Sequence, residues 1–351
     1  MSFAFKIVSE RDLRNAVHSI FLAAGVPSPA ADLVADHLVR ANLTGHDSHG
    51  IGMIPTYIHN IAAGELRPDA ALETVLDHGA ILLFEGNQGF GQVLAHDAMA
   101  RGIERAQRDG LCLVGLRNSH HIGRIGQYAE QCTAEGLISL HFVNVVSDPS
   151  VAPFGGRSAR LGTNPIAIGI PREGEAPIII DFATSRWAVG KVRVAYNAGR
   201  PVPPGTLLDA SGEPTTDPGA LFAKPGGALL PLGEHKGWCL SLACELLGAA
   251  LLGGRTQKGP RPSDAVLNSM LTVIISPERL QTESAFRAEM EEAIRWAKTS
   301  SEEVRLPGDP ERATLATRRA EGIPVDVNTW AQIEEAARSV GIADLGAGDH
   351  S

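Results

Sequence analysis

Apolar residues recur at helical spacing near both ends of this chain and in short β-rich runs between them. Ser9-Glu10-Arg11-Asp12 offers a capping start, and Leu13, Val17, Ile20 and Phe21 then line one face of a helix expected to reach Ala24. Pro27-Ser28-Pro29 breaks it, and the period resumes over residues 30–41. A third helix is expected over 51–63. After Gly64, strands are expected at 72–76, 81–84, 112–116 and 137–146, with helices at 95–106 and 123–134 between them. Turns dominate from Pro149 to Gly233 around strands at 166–170 and 178–180. An apolar helix over 237–252, a strand at 270–275 and amphipathic helices over 283–297, 310–321 and 328–340 follow. Alternating strands and helices imply an α/β core. Helical ends that pack together imply a discontinuous domain.

Size and composition narrow the class. At 351 residues, 44% hydrophobic and 20% charged, the chain suits a folded globular protein of two or three packed units. A net charge of −9 argues against nucleic acid or an anionic membrane as partner. No apolar run is long enough to span a bilayer, and the first eight residues lack the core of a signal peptide. Cys112, Cys132, Cys239 and Cys244 form no CxxC pair and are expected to be buried thiols, which makes a cytoplasmic location the expectation.

Chemistry-bearing side chains gather in four places. Asn118-Ser119-His120-His121 precedes Ile122-Gly123-Arg124, where a strand is expected to end and a helix to begin, the position at which open α/β sheets place ligands. Histidine suits proton transfer near neutrality. His46-Asp47-Ser48-His49-Gly50 suits a polar pocket or a helix cap; no third ligand stands at metal-binding spacing, and no metal is expected. Asp181, after three isoleucines, is placed either to orient a histidine or to cap a helix with Thr184 or Ser185. Lys236, on the first turn of an apolar helix, makes an anion corner or a solvated loop lysine. Gly86-Asn87-Gln88-Gly89-Phe90-Gly91 lacks the G-x-G-x-x-G spacing and reads as a turn.

Together these clusters resemble the malate/L-lactate dehydrogenase family of the non-Rossmann type. The resemblance spans nearly the whole chain. It rests on Gly45-His46-Asp47-Ser48-His49-Gly50, Asn118-Ser119-His120-His121, Leu161-Gly162-Thr163-Asn164-Pro165, Asp181-Phe182-Ala183-Thr184, Ala228-Leu229-Leu230-Pro231, His235-Lys236-Gly237 and Leu306-Pro307-Gly308. Residues 41–55 and 118–126 look most like its hydroxycarboxylate dehydrogenase branch. The resemblance implies an α/β, non-Rossmann, sulfolactate/malate dehydrogenase-like fold with a helical domain formed from both chain ends (1–70 plus 281–345). It also implies an α/β substrate and dimer region (71–120 plus 255–280) and an NAD(P)-binding domain (121–254). The expected molecule is a homodimeric oxidoreductase that uses NAD or NADP on a small 2-oxo or 2-hydroxy acid.

Residue by residue, the resemblance makes His121 the acid/base, gives His120 a supporting role on the substrate side, and places Ser48 and His49 in the substrate pocket. Ser147, Asp181, Ala183, Thr184, Lys236, Pro307 and Gly308 match cofactor-lining positions. Met53 stands where dicarboxylate-using relatives carry an arginine, so an apolar side chain replaces a bidentate carboxylate clamp. This favours 2-oxo acids with apolar or aromatic side chains. Arg124, one helical turn beyond His121, is our own candidate to hold the remaining carboxylate. Competing readings are a cyclic-imine (piperideine- or pyrroline-2-carboxylate) reductase, a malate- or lactate-type dehydrogenase, a metabolite-binding protein without turnover, and a metallohydrolase built on His46, His49, His120 and His121.

Overall fold

The computed structural model describes residues 5–259 and 265–345; the expectation of no leader rests partly on residues 1–4, outside these. The first part of the chain forms β1 (Phe5–Val8), α1 (Glu10–Ala23), α2 (Ser28–Leu43), α3 (Ile54–Ala62), β2 (Glu73–His78), β3 (Ile81–Glu85), α4 (Gly91–Asp109) and β4 (Leu111–His120). Next come α5 (Gly126–Ala134), β5 (Ile138–Val146), β6 (Ile166–Ile170), β7 (Ile178–Phe182) and α6 (Val189–Asn197). Then follow β8 (Leu207–Leu208), β9 (Pro214–Thr215), α7 (Gly219–Phe222), β10 (Ala228–Leu229) and α8 (His235–Gly248). The last elements are β11 (Leu267–Ile275), α9 (Glu283–Lys298), α10 (Asp309–Glu321), β12 (Ile323–Asp326) and α11 (Val327–Ser339).

Both chain ends build one helical core. Ser9 caps α1 by accepting from the Asp12 N–H, and Leu13, Val17, Ile20 and Phe21 are buried, as their spacing predicts. They pack with Val34 and Leu38 of α2, Ile54 and Tyr57 of α3, and Trp330, Ile333 and Ala337 of α11. β1 and β12 pair antiparallel, Phe5 opposite Asp326 and Val8 opposite Ile323, which fastens the ends together. Sequence periodicity missed both strands because each is only four residues long.

Seven strands form one mixed sheet in the order β2-β3-β4-β11-β5-β6-β7. The sheet continues through both α/β segments expected from the sequence, so position 120 divides no layer. Its register brings functional segments to one edge. Leu267 at the start of β11 lies opposite both His120 and Val146, and Ile166 at the start of β6 lies opposite Phe142 and Phe182. The ends of β4, β5 and β7 therefore meet on the same side of the molecule.

The two faces of the sheet differ. On one, α4 and α5 cover Val114, Ile274 and Gly169; a Cβ at Gly102 would press on Val114 and Ile274. On the other, α8 and the 3-10 turn that follows it, Ala250–Leu252, cover only the region near Phe142 and Gly115. Beyond it, Ile81, Leu113, Val273, Leu140, Ile168 and Ile180 stand opposite one another in an aliphatic row across six strands, and every one retains solvent exposure. α8 itself turns Leu240, Leu242, Leu246 and Leu247 outward. Cys239 shares this outward side and is exposed, unlike buried Cys112, Cys132 and Cys244; burial raises those three thiols to about 11, about 12 and about 12.

Two histidines are buried as neutral parts of the framework. His37 is lowered to about 4, first by burial, and His141, whose ring nitrogens meet Ser139 and Thr272 hydroxyls at 2.9 Å, to about 3 by burial. Both folded pKa values lie below the unfolded value of 6.5, so the unfolded chain binds more protons as pH falls. Each contributes stability that is complete above about pH 6.5 and is lost toward pH 4 and 3, on the order of 3–5 kcal/mol apiece. Denaturant unfolding measured from pH 7 to pH 4 should therefore show a falling midpoint, and His141→Leu should flatten the fall. An unchanged pH dependence in that variant would contradict the buried neutral state.

Candidate active site

His121 follows β4 directly, where the chain leaves the sheet. The glycine-rich turn before α4 supports this point from behind, as expected of a turn. The Gly86 N–H donates to the Arg117 carbonyl, the His120 N–H donates to the Gly89 carbonyl, and a Cβ at Gly91 would collide with the carbonyl oxygens of His120 and His121. Asn118 adopts φ 54°, and the β4–β11 register shifts beside Asn268, so the strand end is kinked. The Asn268 side chain then accepts the Ile122 N–H at 3.0 Å.

The His121 Nδ1 lies 2.6 Å from the Tyr57 hydroxyl, and Gln92 Nε2 donates to that hydroxyl at 2.7 Å. Tyr57 and Gln92 are fully buried, and burial raises the Tyr57 phenol so that it stays protonated. Gln92 Oε1 is buried without a partner. His121 as a residue retains partial exposure, and Nε2 is the ring nitrogen that Tyr57 does not engage. His49 stacks against it, centroids 5.7 Å apart and planes 15° off parallel. Burial, then proximity to His49 and His120, lowers His121 well below the usual imidazole value. His49 falls to about 4, chiefly by burial, and its Nδ1 sits 3.1 Å from the Ser48 hydroxyl. Two neutral imidazoles thus share one corner.

Three expected roles change. Asp181 was a candidate to orient His121, but β11, β5 and β6 separate its strand from β4. Its carboxylate instead accepts the Gly126 N–H at 2.9 Å and lies 3.5 Å from Arg124 Nε, while Tyr57 orients His121. Arg124, expected to meet a substrate carboxylate, is 3% exposed and committed to Glu130 at 2.8 Å as well as to Asp181. Arg40 of α2 closes the same cluster by pairing with Glu130 at 2.6 Å, linking the helical core to the sheet. His120, expected on the substrate side, is 1% exposed with its Nε2 3.0 Å from Asn60 Nδ2, which leaves its ring buried among protein groups.

Other expected residues fall into two groups. Ser48 and His49 lie on a short 3-10 turn, Asp47–His49, and Met53 ends a second, Ile51–Met53, packed partly against the helical core. Ser147 follows β5, with its N–H donating to Gln257 Oε1 at 3.0 Å. Thr184 is buried with its hydroxyl donating to the Thr163 and Asn164 carbonyls, and Ala183 beside it is partly exposed. The Leu232 N–H donates to the Thr184 carbonyl, which brings the exposed Lys236 alongside. The Lys236 and Gly237 N–H groups turn back to the Gly233 and Leu232 carbonyls, so any anion there would meet the lysine side chain more than the helix end. The Ile179 N–H donates to the Pro307 carbonyl, setting Pro307 and Gly308 along the edge of β7. Of the four candidate metal-binding histidines, His49 and His121 stack ring on ring, while His46 turns to Glu311 at 3.5 Å and His120 to Asn60 at 3.0 Å.

A family model described as malate/L-lactate dehydrogenase matches residues 8–334. The chain belongs to the malate/L-lactate dehydrogenase family. It is 46% identical over 342 residues to hydroxycarboxylate dehydrogenase B of Escherichia coli (strain K12), covering 95% of this chain and 94% of that one. Its fold matches sulfolactate dehydrogenase from Methanocaldococcus jannaschii with a TM-score of 0.86 at 31% identity, over 96% of this chain and 98% of that one. It matches delta1-piperideine-2-carboxylate reductase from Pseudomonas syringae pvar. tomato with a TM-score of 0.85 at 33% identity, over 94% and 99%. The architecture is the α/β, sulfolactate/malate dehydrogenase-like fold of that family, with the helical unit drawn from both ends. Among the described residues, no helix is long and apolar enough to cross a membrane.

Within this family member, Tyr57 and Gln92 are site residues that local reading passed over. One signal was available: a tyrosine on the apolar face of α3, between Ile54 and Ile58, needs a partner for its hydroxyl once buried.

Proposed function

We propose that this dehydrogenase interconverts 2-oxo acids and 2-hydroxycarboxylates, with His121 as acid/base and NAD or NADP as cofactor. The observation that carries this is a partly exposed His121 whose Nδ1 is held by the buried Tyr57 hydroxyl. A phenol donates to an unprotonated Nδ1 or accepts from Nδ1–H, so it serves the ring in both protonation states. Turning the Gln92 amide would let its unpartnered Oε1 accept the Tyr57 proton when Nδ1–H donates to the phenol oxygen. Nε2 then gives a proton to the developing alkoxide in reduction, or takes the hydroxyl proton in oxidation. His49 shields the ring and, with Ser48, offers neutral donors to the substrate carboxylate in place of Arg124. Met53 supports substrates with apolar or aromatic side chains.

The residues beside the ends of β5 and β7 fit a dinucleotide: Lys236 is exposed and enters no ion pair among the described residues, so it is free for a phosphate. Ser147, Asp181, Ala183, Thr184, Pro307 and Gly308 would hold the rest. When bound, that cofactor supplies or accepts the hydride. The uncovered aliphatic row and the outward leucines of α8 support a homodimer, because an antiparallel face left to water is ordinarily polar. The helical unit, the substrate side and the cofactor side remain our division of labour along the chain, and the cytoplasm our proposed location.

A spectrophotometric panel decides the substrate class. Phenylpyruvate-like 2-oxo acids should be reduced faster than oxaloacetate, and piperideine-2-carboxylate more slowly, with NADH or NADPH. Faster turnover of the cyclic imine would favour the reductase reading. Cofactor binding without any turnover would leave a metabolite-binding protein.

A further inference from the structure

Behind Ser48 and His49, the turn that carries them is gripped by residues far away in the sequence. Arg318 of α10 donates to Asp47 through both terminal nitrogens, at 2.6 and 3.1 Å, and also to the Asn42 carbonyl. Its side chain is 17% exposed. Asn42, 4% exposed at the end of α2, joins the two 3-10 turns: its Nδ2 donates to Asp47 Oδ1 at 2.7 Å and its Oδ1 accepts the Ile51 N–H at 2.8 Å. Gly50 lies so close that a Cβ would strike the Asn42 amide. Glu311, on the same side of α10, faces His46, and a Cβ on Gly45 would meet the Thr314 methyl.

α10 is itself fixed at its start. Asp309 accepts the Leu306 N–H at 2.8 Å, and Arg312 donates to the Pro177 carbonyl at 3.0 Å. Arg318 therefore reaches the turn from an anchored helix, and its planar fork fixes both distance and direction of Asp47. Nothing else described joins α10 to the Asp47 carboxylate.

We propose that Arg318 is a positioning residue for substrate: through Asp47 and Asn42 it sets the orientation of Ser48 and His49 without touching the substrate. This rests on the placement of the substrate beside Ser48 and His49 given above. The hydrogen bonds of Arg318 and Asp47 involve neither His121 nor Tyr57, so their loss misplaces the pocket wall while the His121–Tyr57 pair stays intact.

The test compares Arg318→Ala, Arg318→Lys and Asp47→Asn with the wild-type chain in kinetics with a 2-oxo acid and in hydrogen exchange of residues 46–53. Arg318→Ala should raise KM for the 2-oxo acid about 10-fold, change kcat less than about 3-fold, and leave the affinity for reduced cofactor unchanged. Exchange at 46–53 should rise while the sheet stays protected. Arg318→Lys, which keeps charge but not the fork, should fall between, and Asp47→Asn should resemble Arg318→Ala. Unchanged KM and exchange would overturn the proposal, as would a general loss of protection in which lysine and alanine behave alike. If wild type turned over no 2-oxo acid, the functional reading would fail, and exchange at 46–53 would still decide whether Arg318 holds the turn.

Discussion

His121→Gln should lower kcat by about 10²–10⁴-fold while the chain still binds reduced cofactor, since general acid–base catalysis contributes on that scale. Glutamine keeps a polar side chain near the Tyr57 hydroxyl but cannot exchange a proton in the working pH range. Tyr57→Phe should cost less, about 10-fold, because it removes the hydrogen bond that orients the ring and leaves the imidazole. The pH profile checks the assignment with its sign. Burial and the neighbouring His49 and His120 hold the His121 imidazole well below 6.5, so the neutral base prevails at neutrality. Oxidation, which needs that form, should be nearly flat from pH 6.5 upward. Reduction needs the protonated form and should slow as pH rises, by up to about 10-fold per unit. Stopped-flow single turnovers in both directions give these slopes, and a reduction slope that persists in His121→Gln would remove His121 from the role.

The second large effect concerns assembly. Ile168→Glu, toward the β7 end of the aliphatic row, and Leu246→Glu, 50% exposed on α8, should each convert a dimer to a single chain in light scattering coupled to gel filtration. A carboxylate buried at an interface without a partner costs several kcal/mol, enough to weaken a dimer by 10³-fold or more, roughly. Leu246 is already open to solvent within one chain, so its replacement spares the fold; its circular dichroism should match wild type. A mass of two chains in both variants would remove this face from the interface, and a single chain in the wild type would remove the dimer.

Periodicity carried most of the fold. α1 and α11 each bury one stripe, and the stripe is a local property of the chain. β4 is longer than its apolar run because Asn118, Ser119 and His120 continue the strand; the Ser119 hydroxyl donates to the Asn268 carbonyl, 149 positions away. Polar residues at a strand end look like loop until that partner is known. The site was legible as residue types but not as pairings. Tyr57 and His121 are 64 positions apart, and no spacing rule joins them. Arg124 was well placed by helical geometry for a substrate, yet Glu130 and Asp181 on two other elements claim it. Motifs place chemistry on the chain; the sheet order decides which groups meet.

The pairing of β1 with β12 has a consequence for how the molecule comes into being. The first helices leave the ribosome early, but their shared core lacks Trp330, Ile333 and Ala337 until nearly the whole chain has been made. Through most of synthesis, α1 and α2 must wait with an incomplete apolar face, and the sheet too lacks its central strand until β11 has been made. The wall of the pocket that carries Ser48 and His49 belongs to this late unit, and so does the Arg318 that grips it. A nascent chain thus completes the sheet around the strand that presents His121, through β11, before it completes a place for a substrate.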